Sequence, residues 1–384
     1  SPWSENKNIK RIIVEDGIDN IGNYVFRDCV NLESVSLPDS IKTIGAGAFL
    51  GCENLKEINL PEKLETIREY AFFGCSSLVS ADIPDGVTVI GDSTFASCSS
   101  LSSVTLPEGV YYIAMSAFSK CSSLESVEIP SSVKAIDDSA FYLCSKLSEI
   151  TFRNPLCILY KSENFLPAET KILGYDNSTA QVYAEKFGNP FESIGQSSET
   201  AIVDYGTLGG GSENGVYGIN VTWFLDAEGV LSIKGKDSMQ HIYSIQESPW
   251  YKNESIKEVQ IDNGITNIPN YAFEGCSNLE KITIPDSITS IGYFAFSFCG
   301  SLTEISLPAG LKYLGANSFQ MTNLKSVVVP EGIKSLEASV FAHCPSLKTV
   351  QLPETLTEIR EQAFSNCISL ESITIPDSVK YIGN

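Results

Sequence analysis

The most reactive side chains in this 384-residue chain are eleven cysteines and two histidines. Thiols set as CxxC pairs or beside histidines would hold zinc or staple a small fold. No CxxC pair exists, and His241 and His343 are the only imidazoles. Instead Cys29, Cys52, Cys75, Cys98, Cys121 and Cys144 recur every 23 residues, and Cys276, Cys299, Cys344 and Cys367 keep the same place in a second series. On strands stacked about 4.8 Å apart, thiols repeated in this way point in parallel, slightly too far apart to bridge easily. The expectation is a ladder of small buried thiols with no metal and no cofactor. Cys157 stands outside it, with no assigned role. Two histidines support no Ser-His-Asp arrangement, and adjacent acids such as Asp137 and Asp138 sit at turn positions, where solvation is the default. Gly209-Gly210-Gly211 has no lysine nearby and no strand-to-helix context, so it is not read as a phosphate loop. Asn177, Asn220 and Asn253 begin glycosylation sequons by pattern alone. No catalysis is expected.

The elements that place these residues follow the same beat. Pro38, Pro61, Pro84, Pro107 and Pro130 are 23 residues apart. Between two of them runs Ile41-x-x-Ile44-Gly45-x-x-Ala48-Phe49-x-x-Cys52-x-x-Leu55-x-x-Ile58-x-Leu60-Pro61. A fixed period of about 20–29 residues with a strand-like apolar triplet is the signature of a leucine-rich solenoid. The fold class is therefore mainly β with short helical or irregular segments: a solenoid of 23-residue coils, in two tandem modules with cap elements. In each coil Leu32-x-x-Val35-x-Leu37 and its equivalents form a strand that proline ends. Ile41 and Ile44 form a second extended edge, and one phenylalanine per coil turns inward as a spine. The glycine slot (Gly22, Gly45, Gly91) also holds Arg68, Asp137 and Pro269, so it needs no left-handed backbone.

Residues 1–154 form the first solenoid. Residues 155–197 read as its carboxy-terminal cap, because Ser178-x-x-Gln181 is a capping box ahead of Ala180, Tyr183, Ala184 and Phe187 at helical spacing, closed by Gly188 and Pro190. Residues 198–250 hold a linker, rich in Gly, Ser and Glu from Gly195 to Gly215, and then a β-hairpin. Val221, Trp223 and Leu225 alternate before Asp226-Ala-Glu-Gly229, and Leu231 and Ile233 alternate after it. This hairpin is expected to cap the second solenoid, 251–384, where Phe319–Leu324 is one residue short and lacks the cysteine. An offset of 247 maps Trp3 onto Trp250, Phe26 onto Phe273, Cys29 onto Cys276 and Pro38 onto Pro285, so one module occurs twice. The chain starts at Ser1 without a signal and stops inside a further coil, and it is expected to be a fragment of something longer.

Gly292, Ala295, Phe296, Cys299, Leu302, Ile305, Leu307 and Pro308 carry, in one coil, a pattern that closely resembles the BspA-like leucine-rich repeat family. The resemblance implies large secreted or cell-surface bacterial proteins that adhere to host proteins or neighbouring cells. It supplies no catalytic residues and no ligand-contact motif.

A net charge of −21 turns the surface away from nucleic acid and anionic membrane and toward basic or neutral partners. No apolar run approaches the roughly 20 residues that span a bilayer. The outward strand positions (Ser34 and Ser36, Glu57 and Asn59, Ser80 and Asp82) are polar and acidic, without the aromatic anchors typical of binding hot spots. Aromatics depart from the pattern elsewhere. Phe73 and Tyr142 follow the core phenylalanine of their coils, and Tyr313 and Tyr381 repeat the slot of Tyr112. Tyr111, Tyr112 and Tyr142 are therefore the candidate partner-binding residues. The expected function is a secreted or cell-surface protein that binds protein or glycan macromolecules. The alternatives are a structural spacer or carrier, and an accessory module of a glycan-degrading enzyme.

Overall fold

The structure is a computed structural model that describes residues 3–198, 200–207, 221–239 and 248–384. The described residues up to Ile202 form one compact unit and those from Val203 onward a second. Both are solenoids of parallel rungs. One ladder pairs Arg11 with Ser34 and Val35 with Ile58, so strand partners are one coil apart in sequence. A second ladder pairs Thr43 with Thr66 and Ile44 with Ile67. Proline turns one ladder into the other: Leu64 N donates to the Pro61 carbonyl at 3.0 Å, and Val87 N to that of Pro84 at 3.0 Å.

The third side of the coil is a turn rather than a strand. Every second amide there crosses to the next coil, Tyr24 N to Ala46 O, Phe26 N to Ala48 O and Asp28 N to Leu50 O. The amides between them close i→i−3 turns, as in Leu50 N to Gly47 O and Cys52 N to Phe49 O. This alternation uses two left-handed residues per coil. Tyr24, Gly47, Tyr70, Ser93, Ser116 and Ser139 hold one position, and Asp28, Gly51, Gly74, Ser97, Lys120 and Leu143 the other. The glycine slot of Gly45 and Gly292 has ordinary backbone, as expected, yet glycine there has a reason of its own. A Cβ on Gly292 would lie 2.4 Å from Asn270 N of the preceding coil.

The spine stacks with ring centroids 5.2 Å apart at Phe72–Phe95 and 5.5 Å at Phe118–Phe141, with planes within 8°. Each end of this face-on series is closed edge-on where a cap is present. Phe141, Phe165 and Tyr183 meet at 76° and 75° in the first unit, and Trp223 meets Trp250 at 80° in the second. Tyr183 comes from the expected helix, Thr179–Phe187, capped by Ser178 Oγ on Gln181 N and by left-handed Gly188. Beside it Lys171–Asp176 and Phe191–Gln196 extend the parallel ladder. The expected linker holds a strand, Ile202–Thr207, which lies next to Val221–Asp226 in a sheet continuing through Val230–Gly235 to the first rung of the second unit. Gly209–Gly211, Asn220 and His241 lie outside the described residues.

All eleven cysteines are free and buried. Each ladder thiol donates to the carbonyl of the spine aromatic one coil back: Cys75 Sγ to Phe49 O at 3.2 Å, Cys98 Sγ to Phe72 O at 3.2 Å, Cys276 Sγ to Trp250 O at 3.2 Å. Burial pushes these thiols up, to about 12 at Cys52, Cys144 and Cys276, and also pushes up Cys157, which packs under the cap helix, where its carbonyl accepts from Thr179 Oγ1. In the short coil Thr322 takes the cysteine's place, with its Oγ1 2.9 Å from Phe319 O and 3.2 Å from Cys344 Sγ.

A chromogenic disulfide reagent should find no fast-reacting thiol in the folded chain and eleven after denaturation; a thiol modified quickly without unfolding contradicts the ladder. Leu143, half exposed at φ 59°, should tolerate Leu143→Gly with a gain of about 0.5–1 kcal/mol, measured by denaturant unfolding. Gly51→Ala should cost about 1 kcal/mol or more, since its Cβ would meet Asp28 Oδ1 and the backbone is left-handed.

Candidate interaction surface

The two ladders give each coil a rigid frame, so an outward side chain is placed by its slot. On the long-strand face of the first unit some of the polar residues pair sideways along the stack. Thr105 Oγ1 donates to Asp82 Oδ1 at 2.8 Å, Arg153 Nε lies 2.7 Å from Glu128, and Lys171 bridges Glu149 and Glu192 at 3.5 and 3.0 Å. Exposed pairs of this kind contribute about 0–1 kcal/mol each, and they occupy the groups a partner would otherwise engage. Among the described residues no three His, Cys, Asp or Glu side chains converge as a metal site.

The three candidate tyrosines do not share a surface slot. Tyr112 is corrected: it is 9% exposed and packs in the short ladder between Val89 and Ala135. Its hydroxyl donates to Asp137 Oδ2 at 2.8 Å, so the polar tip is satisfied inside the stack. Tyr111 and Tyr142 are 38% and 36% exposed. Tyr111 leads into the short ladder, where its carbonyl accepts from Lys134 N. Tyr142 lies in the turn, level with Ser119 and Lys120 of the coil before. Tyr313 and Tyr381, in the slot of Tyr112, stay exposed, with Tyr381 donating to Glu361 Oε1 at 2.9 Å. The same slot is thus core or surface according to what the neighbouring coils supply.

Sequence reasoning missed a denser aromatic group in the second unit. Tyr271 lies 4.9 Å edge-on from Tyr293 and 5.5 Å stacked on Phe294, and Tyr293 meets Phe294 at 6.2 Å. These rings are half-buried, and the nearby Tyr313 is exposed. Burial, followed by the Tyr293 hydroxyl, raises the Tyr271 phenol; burial and then the Glu337 carboxylate raise that of Tyr313. Glu337 is itself held by Arg360 at 3.0 Å. Tyr271 and Phe294 occupy left-handed positions at φ 57° and 55°, and Phe298, in the same turn as Phe294, has φ 62° and is exposed. Bulky rings are unusual on such backbone, but a left-handed residue at this slot is common to the coils of both units. The signal available in the sequence was an aromatic recurring two residues before the core phenylalanine, at Tyr24, Tyr70, Tyr271 and Phe294.

No curated protein matches the chain. Among solved structures it is similar to a leucine rich cell surface protein from Faecalibacterium prausnitzii A2-165, 26% identical over 97% of this chain and 78% of that one, with a TM-score of 0.36. It is also similar to a leucine-rich repeat protein from Bacteroides ovatus ATCC 8483, 24% identical over 98% of this chain and 84% of that one, with a TM-score of 0.37. The family model described as BspA type leucine rich repeat region (6 copies) matches residues 3–121, 66–187, 229–348 and 314–384, which takes in both coil series. The chain belongs to the BspA-type leucine-rich repeat family.

Proposed function

We propose that this chain is a secreted or cell-surface binding protein that engages macromolecules through its solenoid faces and carries out no catalysis. The observation that supports this reading is the Tyr271, Tyr293, Phe294 and Tyr313 group. It sets aromatic rings on stiff repeated rungs, and aromatic side chains dominate binding hot spots. Tyr111 and Tyr142 are secondary contacts under the same reading. Two units on one chain raise the effective concentration of the second contact once the first is made. Among the described residues no helix is long and apolar enough to cross a membrane. The lateral pairing of outward charges on the first unit favours a second reading, a spacer that holds another domain at a distance.

Surface-plasmon binding to immobilised extracellular-matrix protein and to polysaccharide tests the reading. Retention on the protein is expected, with the double variant Tyr293→Ser and Tyr313→Ser weakening it about tenfold, which corresponds to about 1.4 kcal/mol. Tyr111→Ser with Tyr142→Ser should have a smaller effect. Retention on neither surface favours the spacer, and retention on polysaccharide alone favours the accessory-module alternative.

A further inference from the structure

One rung on the long-strand face of the second unit is left out of its ladder. In the first unit each such rung, from Arg11–Ile13 to Glu149–Phe152, has at least one hydrogen-bonded neighbour. In the second, Glu258–Ile261 pairs with Lys281–Thr283, and Ser326–Val328 pairs with Thr349–Gln351. Residues 304–307 lie between these two pairs and belong to no strand. No main-chain hydrogen bond joins them to either neighbour, and the nearest is Lys325 N to the Thr303 carbonyl at 3.0 Å. The short coil follows directly, so Pro308 and Pro330 are 22 residues apart. Its turn keeps its crossing bonds, Asn317 N to Ala338 O and Phe319 N to Val340 O at 3.0 Å each, while the long-strand side goes unpaired.

The core is open at this rung. Ile282, Ile284, Ile305 and Leu307 are only half-buried, whereas Val127 and Ile129, in the slots of Ile305 and Leu307, are 3% and 0% exposed. A groove of about 940 Å³ is lined by Ile282 and Ile305, and it meets a second of about 400 Å³ at Ile305, Ser306 and Ser326. Val328, on the wall of the second, is 59% exposed. Amides and carbonyls without a neighbouring rung are a template for another extended chain. Among the described residues, Glu280, Lys281, Glu304 and Glu331 are the charged groups lining the two grooves. The one cation, Lys281, is held by Glu258 at 2.9 Å. No aromatic ring lines either groove among the described residues, so a sugar finds no stacking platform there.

We propose that residues 304–307 and the two grooves beside them form a docking site for an extended, basic polypeptide segment. The segment lies along the unpaired rung and exchanges main-chain hydrogen bonds with it. Alternate apolar side chains pack against Ile282, Ile305 and Val328, and lysine or arginine between them meets Glu280, Glu304 and Glu331. Main-chain pairing supplies affinity and the alternate side chains supply specificity, as in strand addition to a sheet. The net charge of −21 draws such a partner from a distance. The inference rests on the binding reading above only in supposing a macromolecular partner. Its site is on the long-strand face, whereas Tyr271 and Phe294 belong to the turn side.

Fluorescence anisotropy of a labelled octapeptide of alternating lysine and valine, titrated with the whole chain, tests this. Glu280→Lys with Glu304→Lys should weaken binding at least tenfold, with the unfolding midpoint unchanged, and so should N-methylation of the peptide's valines. Glu33→Lys with Glu57→Lys makes the same charge change at exposed positions of the first unit and should alter binding less than twofold. Tyr293→Ser with Tyr313→Ser should also leave it within twofold, which separates failure of this site from failure of the tyrosine group. In amide exchange, Glu304, Ile305 and Ser306 should be faster than Phe296, whose amide bonds to Ser318 O at 2.8 Å, and the peptide should slow them at least tenfold. No binding, equal loss from the two charge swaps, or indifference to N-methylation overturns the proposal. A soluble polysaccharide that displaces the peptide and protects the same amides also overturns it, by giving the groove to a glycan.

Discussion

The structure depends on one acceptor, the carbonyl of the spine phenylalanine. At Phe72 it receives the Cys75 amide of its own coil at 3.1 Å and the Cys98 thiol of the next coil at 3.2 Å. The first bond closes the turn and the second sets the distance between turns. A thiol is a weak donor, but here it is small, buried and aimed at an otherwise half-satisfied oxygen. The same position holds the ring in its stack, where face-on neighbours add about 0.5–1.5 kcal/mol beyond burial. In the short coil Thr322 takes the cysteine's place and its hydroxyl donates to the carbonyl of its own coil's Phe319, which Cys344 of the next coil still reaches at 3.2 Å.

The repeat, the inward residues, the thiol ladder and the helix cap were legible because they rest on period and polarity, which a sequence displays directly. The left-handed positions were not. They fall two and six residues after the Gly45 slot, at Gly47 and Gly51, and other coils fill them with Tyr70, Ser97 or Leu143. Glycine was therefore a misleading marker: Gly45 reports a close approach between coils, whereas the left-handed turn reports its bonding alternation, which no residue type advertises. Tyr112 failed for a related reason. Its slot is exposed at Tyr313 and Tyr381, and only the neighbouring Asp137, Val89 and Ala135 turn it inward.

The division of labour around a coil bears on function. The ladders are fixed by backbone pairing and some of their outward charges pair along the stack, so they provide stiffness and solubility. The turn side is where outward side chains vary without breaking a ladder, because its inter-coil bonds are made mostly by main-chain amides and by the buried thiols. Sequence drift is cheapest there, and that is where the aromatic rings collect.

A solenoid also has two ends, and each must satisfy a rung that has lost a neighbour. The first unit meets this at its far end with Phe165 and Tyr183, the second at its near end with Trp223, and in both an edge-on ring stops a face-on stack. An edge-on ring presents its rim to the next π-face and leaves no parallel face for another coil to continue. The caps thus end growth by geometry as well as by polarity.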